Sequence, residues 1–327
     1  MLIGTLCALA AGLMWGLVFI GPLLLPDYPP ALLSFGRYVA FGLIALPLAW
    51  ADRKRLAQLT RADWIEAAKL GLVGNIVYYL FLASAIQSAG GPLPTMLIGT
   101  LPVLIAVCSN LRDGARDGRL RWSQLAPSLV LIAAGIACVN QVELELLRAD
   151  PAADFARYAW GGALAVGAVA CWTWYPIRNA DWLRDHPGRS PRVWTTAQGL
   201  ATLPLALIGY VGWCAWASWS GHPADTAGAD DIGFALPLGP RPWVYVGLMC
   251  AIGLFASWLG TLCWNAASQR LPTTLAGQLI VFETLAALSY ALALRGGSPP
   301  AATLLGATLL VAGVAWALRA RPAAQAA

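Results

Sequence analysis

Charge is scarce in this 327-residue chain: 11% of its residues are Asp, Glu, Lys or Arg, while 59% are hydrophobic. A soluble domain carries about 25% charged residues, so the shortage excludes an ordinary water-soluble fold. Histidine is scarcer still. His186 and His222 each sit in a loop beside a proline, which leaves no catalytic dyad and no histidine-based metal site. The seven cysteines (Cys7, Cys108, Cys138, Cys171, Cys214, Cys250 and Cys263) fall in or beside apolar runs without CxxC or Cys/His ligand spacing. They read as small buried hydrophobes. No glycine-rich phosphate loop ending in lysine is present, which argues against ATP as an energy source. No catalytic residue, metal ligand or cofactor is therefore expected. A basic region ahead of the first apolar run is also missing, as is a small-residue cleavage site. The N-terminus then reads as a first spanning helix, with the mature chain starting at Met1.

What is present is apolar sequence in lengths that match a bilayer, which takes about 20 residues per spanning helix. Runs near residues 2–22, 30–50, 66–87, 92–111, 123–141, 158–178, 193–216, 242–265, 272–294 and 299–318 predict an all-α polytopic membrane protein with ten transmembrane helices. With the N-terminus inside, sixteen of the 21 lysines and arginines fall on the cytoplasmic side, four fall outside, and Arg37 lies within a helix. This asymmetry predicts cytoplasmic termini. It also accounts for the net charge of +5 without nucleic acid as a partner.

Repeats are visible within the chain. LMWG at 13–16 matches ACWT at 170–173, and ALPLA at 45–49 matches TLPLA at 202–206, both at an offset of 157. PTMLIGTLPV at 94–103 matches PTTLAGQLIV at 272–281, and LIAAGI at 131–136 matches LLVAGV at 309–314, both at an offset of 178. The expected organisation is a first repeat over 1–142, a periplasmic linker over 143–157, and a second repeat over 158–327 with an outer loop at 217–241. Five helices per repeat is an odd number, so the second copy starts on the opposite side of the membrane and the repeats are inverted. Inverted repeats with a midplane site are the recurrent plan of secondary transporters.

Four motifs carry a resemblance across almost the whole chain. They are Trp-Gly in GLMWGLVF, Arg37 in LLSFGRYVAFGL, Pro102 in GTLPVLIA, and the LxxAG tails ending at Gly135 and Gly313. Together they resemble the drug/metabolite transporter superfamily and its EamA-type ten-helix inner-membrane permeases. The resemblance implies efflux or exchange of small metabolites such as amino acids, amines or nucleotide-derived compounds in a bacterial inner membrane. The chain departs from the family where a Gly-Glu pair often follows helices four and nine, and where Ile280 replaces a common proline, with Glu283 about one turn later.

Arg37 and Glu283 are the two ionisable residues well inside predicted spans. A charge at that depth costs about 2.5 kcal/mol or more. Glu283, in the second half only, faces Ile105 in the repeat alignment and is the first candidate for a coupling proton or a cationic substrate group. Its alternative role is a structural carboxylate paired with Arg37, and the resemblance places Arg37 on a peripheral helix, as a structural charge. Asn75, Tyr78 and Tyr79 share a helical face, as do Ser257, Thr261, Trp264 and Asn265. With Trp15, Trp172, Tyr175 and Trp258 they form a candidate aromatic pocket suited to a cation; helix packing is the plainer alternative. Thr100 and Gln278 occupy matching places in the two halves and read equally as substrate ligands or as helix–helix hydrogen bonds. Trp50, Trp64, Trp122, Trp194, Trp213, Trp216, Trp219, Trp243 and Trp316 read as interfacial belts. The expected function is a gradient-driven secondary transporter, exporting or exchanging a small metabolite against a proton or counter-substrate, with membrane lipid as its surroundings. A non-transporting scaffold or receptor, using the 217–241 loop as its partner surface, is the competing class.

Overall fold

In the computed structural model, residues 1–90, 92–112, 121–148, 155–220, 235–295 and 300–319 are described. Among them the chain is helical, with no strand. In order, α1 is Leu2–Leu24, α2 Pro30–Ala51 and α3 Arg61–Ala89, while α4 comprises Pro92–Ile98 and Leu101–Arg112. Next come α5 Trp122–Arg148, α6 Phe155–Asp185, α7 Pro191–Ser220 and α8 Pro242–Ser268. The last two are α9, made of Thr273–Leu279 and Val281–Arg295, and α10 Ala301–Arg319. Five helices, α1, α2, α3, α7 and α8, are long and apolar enough to cross a membrane. Shorter apolar stretches lie in α4, α5, α9 and α10.

Local chemistry sets the ends. α2 and α8 begin with proline in the first turn, where the missing N–H costs nothing. α3 begins at a capping box, with Thr60 and Asp63 exchanging side-chain-to-backbone bonds of 2.8 and 3.3 Å that satisfy amides no helix turn reaches. It ends at Gly90, whose φ of 77° lies where a side chain is disfavoured.

Several boundaries differ from those read in the sequence. α5 continues to Arg148 and α6 starts at Phe155, so much of the stretch expected as a linker over 143–157 is helix, and 149–154 lie outside the described residues. Hydropathy reports the apolar length of a segment, whereas VELELLR continues the helix with good helix formers after apolarity falls. α7 likewise runs to Ser220, shortening the expected outer loop; Asp225, Asp230, Asp231 and His222 lie outside the described residues, as do Asp113 and Asp117. α4 and α9, expected to be continuous, are each broken, at Gly99–Thr100 and at Ile280. α3 and α8 widen to π-helix over Leu70–Val77 and Gly253–Leu259, a feature frequently found at functional sites.

Small residues set how the helices pack. A Cβ on Gly135 of α5 would lie 2.7 Å from the Gly306 carbonyl of α10, and one on Gly313 would lie 2.7 Å from Ile132, so the two LxxAG tails pack on one another. Ser128 adds a 2.8 Å bond to the Gly313 carbonyl. On α2 and α7, Gly42 meets Leu203 and Gly199 meets Ala45, which brings ALPLA and TLPLA together. Gly277 of α9 meets Ile105 of α4, Gly74 of α3 meets Tyr175 of α6, and Gly260 of α8 meets Trp15 of α1. The cysteines expected to be buried are partly exposed, Cys250 the most so.

Candidate functional site

Glu283 is 1% exposed, and the break in α9 sets its place. The Ile280 amide reaches Gly277 at 3.3 Å and the Glu283 amide reaches Ile280 at 2.8 Å, so bonds three residues apart replace the regular ladder. Glu283 therefore lies in the first turn of Val281–Arg295, the helix end that favours negative charge. Gly12 of α1 presses on this turn: a Cβ there would lie 3.0 Å from the Glu283 nitrogen.

An aromatic stack forms the wall beside it. Trp172 of α6 lies between Tyr78 and Tyr175, with ring centroids 4.6 and 4.9 Å away and planes 19° and 3° apart. Trp15 meets Trp172 edge-on at 5.0 Å and Trp264 at 5.1 Å. Its indole N–H is anchored at 3.0 Å on the carbonyl of Ala256, inside the π-helical stretch of α8. The sequence-read aromatics Trp15, Trp172, Tyr78, Tyr175 and Trp264 thus form one cluster. Trp258 is buried, but no ring contact joins it to that cluster, and its indole nitrogen has no partner.

Arg37 is 4% exposed and makes no ion pair with Glu283 within 4.0 Å. Its Nε donates to Ser257 Oγ at 2.9 Å, and the guanidinium carbon lies 4.5 Å from the Tyr79 ring and 4.8 Å from that of Tyr38. The structural pairing of Arg37 with Glu283 is therefore not what the helices build. Four buried polar atoms here have no hydrogen-bond partner: Glu283 Oε2, Arg37 Nη1, the Tyr78 hydroxyl and Trp172 Nε1. Trp172 Nε1 and the Tyr78 hydroxyl lie within electrostatic reach of the Glu283 carboxyl without reaching hydrogen-bond geometry.

The other sequence candidates divide. Gln278 is fully buried with both amide atoms unpartnered. The Thr100 hydroxyl is taken up at 2.6 Å by the Leu97 carbonyl, closing the break in α4. Asn75, Tyr78 and Tyr79 do not act as one face, because the π-helical stretch shifts their phase. Asn75 reaches Thr202 of α7 at 3.5 Å, Tyr79 donates to the Val18 carbonyl of α1 at 3.0 Å, and Tyr78 turns to Trp172.

Two groupings are not foreseen in the sequence, although Tyr175 and Asn265, singled out there as pocket candidates, take part in the first. One is a buried network joining α6, α7 and α8. Asn179 donates to Asn265 at 2.7 Å and accepts from Trp194 at 2.8 Å and from Gln198 at 3.0 Å. Asn265 donates to Thr195 at 2.8 Å, and Tyr175 donates to Gln198 at 2.8 Å. Trp194, expected in an interfacial belt, is fully buried and stacks on Trp182 at 3.4 Å. Isolated amides on apolar helices leave no periodic signal; the spacing Asn179, Trp182 and Asp181 near one helix end was the available clue.

The second group is a layer of ion pairs at one end of the bundle. Arg178 of α6 grips Glu66 of α3 at 2.5 and 3.2 Å. Arg112 of α4 meets Asp181 at 2.7 Å, and Arg192 of α7 meets Asp52 at 2.8 Å. Asp63 accepts from Trp182 Nε1 at 2.9 Å and lies 3.6 Å from His186. Each link joins residues before 113 to residues after 177. At the opposite end Arg241 pairs with Asp27, and the Tyr28 hydroxyl donates to Leu238 at 3.0 Å.

The sequence of this apolar bundle is similar to that of known membrane proteins. The profile of the EamA-like transporter family matches residues 2–141. The inner membrane protein YtfF of Escherichia coli (strain K12) is 54% identical over 322 residues, covering 98% of this chain and 97% of its own. The chain belongs to the EamA-like transporter family, within the drug/metabolite transporter superfamily. A crystal structure of a protein 19% identical superposes with a TM-score of 0.64 over 96% of both chains, a likeness of fold.

Proposed function

We propose that the protein is a secondary active transporter of the bacterial inner membrane, exporting or exchanging a small metabolite such as an amino acid or amine. Ten spans, both termini cytoplasmic, form two inverted five-helix repeats that alternate access to a site between them.

The packing supports the inverted pairing. Exchanging the halves maps α1 on α6, α2 on α7, α3 on α8, α4 on α9 and α5 on α10. Under that exchange α2 with α7, α4 with α9 and α5 with α10 map onto themselves, and α3 with α6 maps onto α8 with α1. These are the pairs held at Gly42, Gly277, Gly135, Gly74 and Gly260. The π-helical stretches fall on α3 and α8, and the breaks on α4 and α9, each feature on a pair of mates.

The observation that carries the reading is Glu283: a fully buried carboxyl in the first turn of a broken helix, facing an aromatic wall, with an unpartnered oxygen. Intramembrane acids of this kind serve ions, protons or substrates. Purified protein in liposomes loaded with mixed amino acids and amines is expected to release a subset saturably. Release no greater than from protein-free liposomes overturns the proposal.

A further inference from the structure

We infer that Arg37 is a specificity residue that receives the carboxylate of a zwitterionic substrate whose ammonium group meets Glu283. The inference rests on the transport reading and adds to it the charge pattern of the substrate.

Two opposite buried charges that served only the fold would satisfy one another, because attraction in low dielectric is strong and an unmet polar group is costly. Arg37 and Glu283 do not. Each is more than nine-tenths buried, each keeps a polar atom without a partner, and no ion pair closes between them within 4.0 Å. Arg37 is held in place by other means. Its Nε is fixed on Ser257 and its guanidinium is held against the rings of Tyr79 and Tyr38, which leaves Nη1 as a fixed donor on an otherwise immobilised group.

Tyr78 and Tyr79 are neighbours on α3: Tyr79 holds the Arg37 guanidinium at 4.5 Å and Tyr78 stacks on Trp172 at 4.6 Å, with its hydroxyl in the field of both Glu283 and Arg37, so acid, hydroxyl and guanidinium border one region beside Trp172. A ligand carrying carboxylate and ammonium together matches both orphan atoms at once. An amine leaves Arg37 Nη1 unmet and an acid leaves Glu283 Oε2 unmet. A site built around buried polar groups rejects analogues that lack the complementary group.

The test is ligand-dependent thermal stabilisation of the purified full-length protein with a matched trio: phenylalanine, phenethylamine and 3-phenylpropanoate, repeated with alanine, ethylamine and propionate. Binding is read because the amines and acids leak through bilayers. In at least one trio the wild type is expected to half-saturate with the amino acid about tenfold or more below its amine and its acid, as loss of one charge-assisted bond implies. Arg37→Gln is expected to abolish discrimination against the amine and keep that against the acid, and Glu283→Gln to do the converse. These preferences are ratios within one preparation, so yield does not enter them, and the wild-type arm stands if a variant fails to fold. The inference is overturned by a wild type that prefers neither amino acid, or by Arg37→Gln keeping the wild-type preference. Liposomes that release other metabolites but no zwitterion also overturn it while the transport reading stands; release of nothing overturns both.

Discussion

Gly12 of α1 and Glu283 of α9 touch through their backbones: a Cβ on Gly12 would stand 3.0 Å from the Glu283 nitrogen and 2.9 Å from Phe282 Cβ. The close approach fixes the broken turn on which the acid sits. Gly12→Ala must push α1 away from that turn, an overpacking cost of about 1–3 kcal/mol. The expected result is a protein that still inserts, melts at lower temperature, and transports with lower affinity. Flux and thermal stability measured on the same preparation check both effects.

The Glu66–Arg178 pair ties α3 to α6. Arg178→Gln leaves the mostly buried Glu66 with only Lys69, 3.9 Å away, and removal of a charged hydrogen bond costs about 1.5–3 kcal/mol. The proposed topology puts this layer at the cytoplasmic end, where we propose that it closes that side of the site. A double-mutant cycle with Glu66→Gln is expected to give coupling of about 0.5–3 kcal/mol, and the single variants are expected to be labelled faster by a cytoplasmic thiol reagent at a cysteine placed beneath the layer.

Asn179 accepts from Trp194 and Gln198 and donates to Asn265. Hydrogen bonds between membrane helices are worth about 0.6 kcal/mol each, so Asn179→Ala is expected to cost about 2 kcal/mol. Thermal unfolding checks the loss. Because this network packs behind Tyr175, substrate affinity should change less than stability.

Trp172→Ala removes the middle ring of the stack between Tyr78 and Tyr175. Aromatic pairs contribute about 0.5–1.5 kcal/mol each beyond buried area, and the indole faces the site. Affinity is expected to fall about tenfold or more, whereas Trp243→Ala, on an exposed ring, leaves affinity unchanged. Titration of ligand-induced stabilisation for both variants separates site from surface.

The sequence made much of this legible where a physical period or cost leaves a mark. Apolar length marks the helices, and the cost of intramembrane charge singles out Arg37 and Glu283; the repeated motifs mark related segments, and only the structure shows that they meet, at Gly135 on α10 and at Gly277 on Ile105. The break at Gly99–Thr100 falls where Pro102, second residue of Leu101–Arg112, has no amide to bond back to Ile98, whereas the break at Ile280 and the π-helical stretches have no proline or other compositional mark. Trp194 reads as interfacial in the sequence, yet an amide partner on α6 draws it inward. The family resemblance places Arg37 on a peripheral helix, and only the separation between its free nitrogen and Glu283 points to a different use.

Glu283→Gln tests the central claim most directly. In liposomes, an imposed pH gradient is expected to drive substrate flux through the wild-type protein, and the variant, which keeps the shape but cannot exchange a proton, should lose that drive while still binding substrate more weakly. Flux through the variant with unchanged dependence on the pH gradient would contradict the account.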